Sequence, residues 1–94
     1  MSTVTKKHLI DRVTKSTQAK RALVKATVQN FLDEITAELA KNNRLEFRDF
    51  GVFEVREQAA KIAQNPKSLE KIEVPAKRRV KFKMGRIMKK RLSG

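Results

Sequence analysis

The sequence of 94 residues contains no cysteine, tryptophan or tyrosine, and only one histidine, three glycines and two prolines. The missing cysteines exclude disulfides and thiolate metal sites, and they are compatible with a reducing compartment. No apolar run approaches the roughly 18 residues of a membrane span, and the first residues lead into charges without the apolar segment of a signal peptide. We therefore expect a cytoplasmic protein with no membrane partner.

Residues that support catalysis are also scarce. His8 stands alone, with no triad-like grouping or set of metal ligands around it, and an ordinary surface or packing role explains it. The one enzyme class left open is a metal-dependent nuclease with Glu46, Asp49 and Glu54 as its cluster, although both glutamates fit solvent-facing strand positions equally well. The sequence accordingly favours a non-enzymatic protein without a metal or cofactor.

Acidic residues are few as well, since ten Asp and Glu face 23 Lys and Arg, which gives a formal net charge of +13. Such a charge favours a polyanionic partner and rapid, salt-sensitive association. The charge alone allows double-stranded DNA and RNA equally, and RNA would make this an RNA-binding or ribosome-associated protein. The absence of Trp and Tyr argues against a stacking platform for single strands.

The apolar residues are too few to build a large core. Hydrophobic residues make up 39% of the chain, and its only aromatic residues are five phenylalanines. A chain of this length forms one small domain, 1–94, and burial across a subunit interface is a natural way to complete such a core. We therefore expect an oligomer.

Two helices are predicted at the N-terminal end. Thr5 can cap the first, and Ser16 or Thr17 could cap a second helix that runs to about residue 41. Asn42 and Asn43 end the second helix, because Asn tolerates the left-handed conformation of a C-terminal cap. The apolar positions at helical spacing are Leu9, Ile10 and Val13 in the first helix and Leu23, Ala26, Val28, Phe31, Leu32, Ile35 and Leu39 in the second.

From Arg44 the apolar period changes to two, which predicts a half-buried strand with Leu45 and Phe47 on one side. A tight connection follows, in which Gly51 permits either a special backbone conformation or a close approach that a side chain would block. The second strand then places Phe53 and Val55 on its apolar side. Beyond residue 56 this alternation fades, so the strand is expected to extend past its core.

The run from 71 to 83 alternates again and is followed by a short helix from residue 86 to about 92. Pro75 cannot donate a ladder hydrogen bond, so it belongs on an edge or at a bend. One face of the run is therefore core or partner strand, and the other is a charged surface. Its even positions are Ile72, Val74, Ala76, Arg78, Val80 and Phe82, and its odd positions are Lys71, Glu73, Pro75, Lys77, Arg79, Lys81 and Lys83.

The strongest charge bias lies at the C-terminal end. From Lys77 onward there are nine Lys or Arg and no acid. Cations packed this densely repel one another unless an anion is near. The odd-numbered cations share strand parity, so the pattern predicts a row of phosphate contacts, which carry affinity but little sequence information.

This arrangement resembles the HU and integration host factor family of bacterial DNA-bending proteins over almost the whole chain. The stretch from Phe50-Gly51 to Asn65-Pro66 has the family's length without a gap. The residues that carry the resemblance are Leu9-Ile10-Asp11 in the first helix, Phe50 through Arg56 at the start of an arm, Asn65-Pro66 at its tip, and Ala76 through Phe82 into Gly85-Arg86.

The resemblance implies an α+β fold that forms an intertwined dimer. Residues 1–43 would be a helical dimerisation base, 44–83 a three-stranded antiparallel saddle with a long β-arm at about 57–75, and 84–94 a basic C-terminal helix. A homodimer is implied, and a heterodimer with a paralogue stays open. The implied dimer core consists of Phe31, Leu32, Ile35, Leu39, Phe47, Phe50, Phe53 and Phe82.

The implied function is that of a nucleoid-associated protein of the bacterial cytoplasm, which binds duplex DNA with little sequence specificity and bends or compacts it. Pro66 would be the wedge inserted between base pairs from the minor groove, since proline is a compact apolar plate with a fixed backbone angle. Asn65 would donate to minor-groove acceptors or fix the turn. The residues expected to contact DNA are Arg56, Lys61, Gln64, Asn65, Pro66, Lys67, Lys71, Lys77, Arg78, Arg79, Lys81, Lys83, Arg86, Lys89 and Lys90.

Some arm residues depart from the family pattern. Gln64 replaces an arginine that many relatives carry beside the wedge, and Ala63 and Leu69 stand where relatives often have glycine. The arm also contains three glutamates, Glu57, Glu70 and Glu73. An alternative therefore stays open in which the saddle and the C-terminal helix bind DNA with weak bending.

Overall fold

The computed structural model describes residues 1–93, which form three helices and five strands in two compact units. The first unit is Met1–Ala37, and the second begins at Glu38. This composition confirms the predicted α+β class. The elements in chain order are α1 (Lys6–Thr17), α2 (Arg21–Ala40), β1 (Leu45–Phe47), β2 (Gly51–Gln58), β3 (Lys61–Gln64), β4 (Lys71–Val74), β5 (Lys77–Met84) and α3 (Arg86–Leu92).

Helix α1 begins with the cap that the sequence predicts. The Thr5 hydroxyl accepts a hydrogen bond from the His8 backbone N–H at 3.4 Å, and the Thr5 N–H donates to His8 Nδ1 at 3.1 Å. This is a capping box in which histidine takes the place of the usual Glu or Gln. His8 thus has a structural role at the start of the first helix.

The predicted start of the second helix is wrong. Ser16 and Thr17 belong to the last turn of α1, and the Thr17 hydroxyl donates to the Val13 carbonyl at 2.7 Å. Gln18 ends α1 in a left-handed conformation with φ 57°. The Thr17 hydroxyl therefore bonds to a carbonyl of its own helix, as Ser and Thr often do within a helix, and α2 begins only at Arg21.

The core of the first unit is small. Ile10 on α1 and Val24 on α2 are its two buried apolar residues, with 2% and 7% of their surface exposed. An ion pair between Asp11 and Arg21 joins the two helices at 2.8 Å, and Lys6 donates a hydrogen bond to Gln29. The apolar side chains around this core are largely exposed, which leaves most of the hydrophobic stripe of α2 uncovered within one chain.

Helix α2 ends where the two asparagines predict. Asn42 has φ 65°, and its N–H donates to the Leu39 carbonyl, while the Asn43 N–H donates to the Glu38 carbonyl at 3.1 Å. These two bonds form a Schellman motif, which satisfies the last carbonyls of the helix. The chain then turns directly into the sheet.

The second unit contains an antiparallel sheet in the order β1-β2-β5 and a separate two-stranded ribbon of β3 and β4. The ribbon forms the predicted arm. Strand pairing is interrupted between β2 and β3 and again at Pro75 and Ala76, between β4 and β5. Pro75 therefore lies at a bend, in agreement with its missing backbone donor.

The connection between β1 and β2 uses Asp49 for the special backbone conformation. Asp49 has φ 66°, and the Phe50 N–H donates to the Phe47 carbonyl at 3.0 Å. Gly51 has no positive φ, but a Cβ added there would lie 2.5 Å from the Phe82 ring. Of the two reasons that the sequence gives for Gly51, the close approach is the one that holds.

Candidate nucleic-acid interface

The register of the sheet separates an apolar face from a charged face. Directly opposite residues of an antiparallel pair point to the same side. Phe53 lies opposite Phe82, and Val55 lies opposite Val80, so the odd residues of β2 share a face with the even residues of β5. The other face combines the even residues of β2 with the odd residues of β5.

Four aromatic rings pack together on the apolar face. The phenylalanine cluster consists of Phe47, Phe50, Phe53 and Phe82, with ring centroids 4.8 to 6.3 Å apart. Phe50 nevertheless keeps 51% of its surface exposed, and Phe82 keeps 37%. Since a ring of this size contributes most when it is fully buried, one chain leaves this core incomplete.

The charged face carries the predicted basic row, which is formed by Lys77, Arg79, Lys81 and Lys83 of β5. All four side chains are exposed. Alternate residues of a strand are about 6.6 Å apart, so the four charges lie along one line on the sheet. The structure thereby brings together the four cations that strand parity placed on one side.

An acidic residue lies inside this row. Glu54 of β2 is opposite Lys81, and its Oε1 accepts from Lys83 Nζ at 2.9 Å and from Arg56 Nη2 at 3.3 Å. Only 19% of its side chain is exposed. The hydrogen bond from Lys83 lowers the pKa of Glu54 below its ordinary value of 4.5, with a further contribution from Arg56. Two predicted DNA contacts thus already have an anionic partner.

Arg78 lies apart from the other predicted contacts. As an even residue of β5 it belongs to the opposite face, where its guanidinium donates to the Ala40 carbonyl and to Asn42 Oδ1, both at 2.9 Å. A cation at these carbonyls complements the C-terminal end of α2. The structure therefore gives Arg78 a capping contact and does not bring it into the basic row.

The arm tip is a compact loop with Pro66 exposed on it. The Asn65 N–H donates to the Glu70 carbonyl at 2.9 Å, and the Leu69 N–H donates to the Asn65 carbonyl at 2.8 Å. Asn65 Oδ1 also accepts from the Lys67 N–H at 3.0 Å, which is the turn-fixing role predicted for this side chain. The Gln64 side-chain amide adds another hydrogen bond across the loop, because its Nε2 donates to the Leu69 carbonyl at 3.3 Å.

Leu69 takes a conformation that suits glycine. Its φ is 60°, and 68% of its surface is exposed. A side chain with Cβ in this region costs roughly 1–2 kcal/mol, because Cβ approaches the following carbonyl oxygen. The departure noted in the sequence at this position therefore corresponds to a strained residue in the tip loop.

The arm has no net charge. Between residues 57 and 75 the three lysines, which are Lys61, Lys67 and Lys71, face three glutamates. All three lysines are exposed. From residue 57 onward, the excess of cations therefore lies in β5 and α3.

Helix α3 carries the remaining predicted contacts. Arg86 lies 3.6 Å from the Asp49 carboxylate and keeps 84% of its side chain exposed, while Lys89 and Lys90 are exposed on the last turn. The helix start is fixed to the β1–β2 turn, because the Gly85 N–H donates to the Phe50 carbonyl at 2.8 Å. A Cβ on Gly85 would lie 2.6 Å from the Asp49 backbone, so glycine is required there.

The three acids considered for a nuclease cluster have separate partners. Glu46 pairs with Arg44 at 3.1 Å, Asp49 with Arg86 and Glu54 with Lys83. Within residues 1–93, no three His, Cys, Asp or Glu side chains lie close enough together to hold a metal ion. In that same part of the chain, no helix is both long and apolar enough for a membrane span.

Comparison with known proteins gives one consistent result. Residues 4–93 match the family described as bacterial DNA-binding protein. The chain is 45% identical to the probable DNA-binding protein HU of Chlamydia pneumoniae, over 96% of this chain and 91% of that protein. It is 34% identical to the integration host factor alpha subunit of Actinobacillus succinogenes, over 96% and 92%.

Solved structures agree with the sequence matches. The Anabaena HU–DNA cocrystal structure superimposes with a TM-score of 0.84 at 28% identity and covers 96% of this chain and 98% of that one. The family match therefore covers nearly the full length of the chain, including the sheet and the tip loop. The chain belongs to the family of bacterial DNA-binding proteins that includes HU and the integration host factor subunits.

Proposed function

We propose that this protein is a homodimeric, nucleoid-associated protein that binds duplex DNA with little sequence specificity and bends it. The observation that carries the proposal is the basic row, Lys77, Arg79, Lys81 and Lys83, on the charged face of a sheet whose arm ends in an exposed proline. The role is non-enzymatic and belongs in the cytoplasm, in keeping with a family of DNA-binding proteins.

The spacing of the basic row suits a phosphate backbone. Its charges are about 6.6 Å apart, close to two of the roughly 3.4 Å steps at which one DNA strand places its phosphates along the axis. Contacts of this kind position a protein on the duplex without reading its sequence. On α3, Arg86, Lys89 and Lys90 add cations with the same chemistry beyond the end of β5.

Pro66 is the proposed wedge. The loop around it is fixed by backbone hydrogen bonds from Asn65 and Leu69, so the ring is presented on a defined support. An apolar side chain can replace the stacking of an opened base step, and proline does so with little loss of conformational freedom. The arm supplies the contact that bends DNA, while the net charge of zero on residues 57–75 assigns most of the affinity to the row and α3.

A second copy of the chain is the proposed partner subunit. The phenylalanine cluster presents Phe50 and Phe82 half-exposed, and Phe31 and Leu32 of α2 expose 52% and 40% of their surfaces. Exposed apolar side chains in this number mark an interface in a small soluble protein. A dimer would cover the apolar face and present two arms and two basic rows to one duplex.

The decisive experiment replaces the tip proline. For Pro66→Ala we expect a smaller bend and a lost preference for nicked over intact duplex, while the affinity for plain duplex falls only modestly, because the phosphate contacts are retained. The bend is measured from the fluorescence end-to-end distance of a labelled duplex. The affinity is measured across a salt series by titration of three probes, which are linear duplex DNA, nicked duplex DNA and structured RNA.

Pro75→Ala is the matched control, since it removes the chain's other proline and keeps the tip. It should bend DNA as the unmodified protein does. If the Pro66→Ala variant bends DNA as much as the unmodified protein does, Pro66 is not a wedge. Preference of the unmodified protein for structured RNA over every duplex would overturn the DNA-binding function itself.

A further inference from the structure

Glu54 is the acidic side chain that the structure places within the basic row. It comes from the neighbouring strand, its carboxylate is four-fifths covered, and one of its oxygens accepts hydrogen bonds from both Lys83 and Arg56. Its position is fixed by the register, which sets it opposite Lys81. Both cations keep more than half of their side chains exposed, so they remain accessible to a larger anion.

We propose that Glu54 is an intramolecular competitor of DNA phosphate, which lowers both the affinity of the basic row and its dependence on salt. The inference rests on the proposed function, since it requires that the row binds a phosphate backbone. Glu54 would thus regulate how tightly the cations of the row bind DNA.

The effect of Glu54 on the salt dependence follows from the number of ions released and taken up on binding. A cation that is free before binding releases one condensed counterion from DNA, which contributes about 0.9 to the slope of log affinity against log salt. When phosphate takes Lys83 from Glu54, the carboxylate is left exposed and attracts a cation from solution. The release and the uptake nearly cancel, so a cation paired with Glu54 contributes little to the slope.

The exchange is energetically feasible because ion pairs at a protein surface contribute little stability. In this pair the two cations are more than half exposed, so water screens their attraction to the carboxylate. Phosphate can therefore displace the carboxylate without disrupting the sheet, at the expense of some binding free energy. Glu46 does not compete in the same way, because its partner Arg44 lies outside the proposed DNA contacts. Asp49 lies 3.6 Å from Arg86, which keeps 84% of its side chain exposed, so it holds that cation less closely than Glu54 holds Lys83 at 2.9 Å.

The test compares duplex binding by the full-length protein and by Glu54→Gln across a salt series. Gln keeps the shape of the side chain and removes the charge. We expect tighter binding at low salt and a slope steeper by about 0.9 per protomer, hence about 1.8 for a dimer. The gain in affinity should accordingly shrink by about tenfold between 50 and 200 mM salt.

Glu38→Gln is the matched control. It removes the same charge from the protein, but Glu38 pairs with Lys41 and Asn43 at the end of α2. Its slope should equal that of the unmodified protein. The effect of Glu54→Gln should also decrease when it is combined with Lys83→Gln, because one of the two cations that Glu54 holds is then gone.

Two results would overturn the inference. One is an unchanged slope for a folded Glu54→Gln variant, and the other is weaker binding, which would make Glu54 a residue that orients the cations. Should the variant not fold, the carboxyl ¹³C shift of Glu54 in the unmodified protein decides, since displacement by duplex must move it. Failure of the unmodified protein to bind duplex would instead refute the proposed function.

Discussion

Single residues decide how the arm tip is built. Of the four non-glycine residues with positive φ, Asn42 and Asp49 have short polar side chains that tolerate this region. Leu69 has no such compensation, and its N–H is nevertheless held by the Asn65 carbonyl at 2.8 Å. The tip loop therefore carries strain beside the proposed wedge, and this strain favours opening of the loop in the free protein.

Leu69→Gly should relieve this strain. We expect the free energy of opening the tip loop to rise by about 1 kcal/mol, so that the amide of residue 69 exchanges its hydrogen about fivefold more slowly. Fast amide exchange measured by NMR reports this change directly. Leu69→Ala is the control, because alanine removes the leucine side chain but keeps a Cβ at positive φ. Equal protection in both variants would mean that φ is not the source of the strain.

At the scale of elements, β5 contributes to two surfaces because neighbouring residues of a strand point to opposite sides. Arg79 belongs to the basic row, whereas Arg78 donates to the end of α2. The two adjacent arginines thus lie on opposite faces, and we propose a binding role for Arg79 and a stabilising role for Arg78.

Arg78→Met should destabilise the fold by about 1 kcal/mol, because it removes charge-assisted hydrogen bonds to the Ala40 carbonyl and Asn42 while keeping most of the side-chain stem. Urea unfolding measures the loss. Arg79→Met should change stability by less than about 0.5 kcal/mol but weaken duplex binding and flatten its salt slope. The reverse assignment of these two effects would contradict the placement of the arginines.

Strand parity explains how much of this arrangement the sequence could predict. The alternation in β5 identified Lys77, Arg79, Lys81 and Lys83 as one row, because side-chain direction in a strand depends only on position. The contact of Glu54 with Lys83 depends on the register between two strands, which alternation does not determine. The role of Arg78 was missed for the same reason, since its acceptors lie 36 and 38 residues away.

Helix boundaries were predictable only where a terminating residue has a distinct preference. Asn42 and Asn43 were correctly identified as the end of α2, since asparagine accepts left-handed geometry. Gln18 has no such preference, so its φ of 57° could not be foreseen. The hydroxyls of Ser16 and Thr17 therefore suggested a start of α2 that α1 in fact occupies.

At the scale of the whole molecule, very little apolar surface is buried within one chain. Among residues 1–93, the buried apolar side chains are Ile10 and Val24. A domain of this size depends on burying most of its apolar surface, because the entropy lost on folding is large. Folding and association of two chains should consequently be one process.

A coupled process makes the unfolding temperature depend on protein concentration. Raising the concentration from about 1 to about 100 µM should stabilise a dimer by about 2.7 kcal/mol, and the melting temperature measured by circular dichroism should rise with it.

Phe50→Ala distinguishes a dimer from a chain that folds alone, because Phe50 is half-exposed in one chain but would be buried between two. A loss of about 3 kcal/mol indicates dimer burial. Ile62→Ala, on the arm and 71% exposed, should cost less than about 0.5 kcal/mol. A melting temperature independent of concentration, together with a small cost for Phe50→Ala, would show that the chain folds alone.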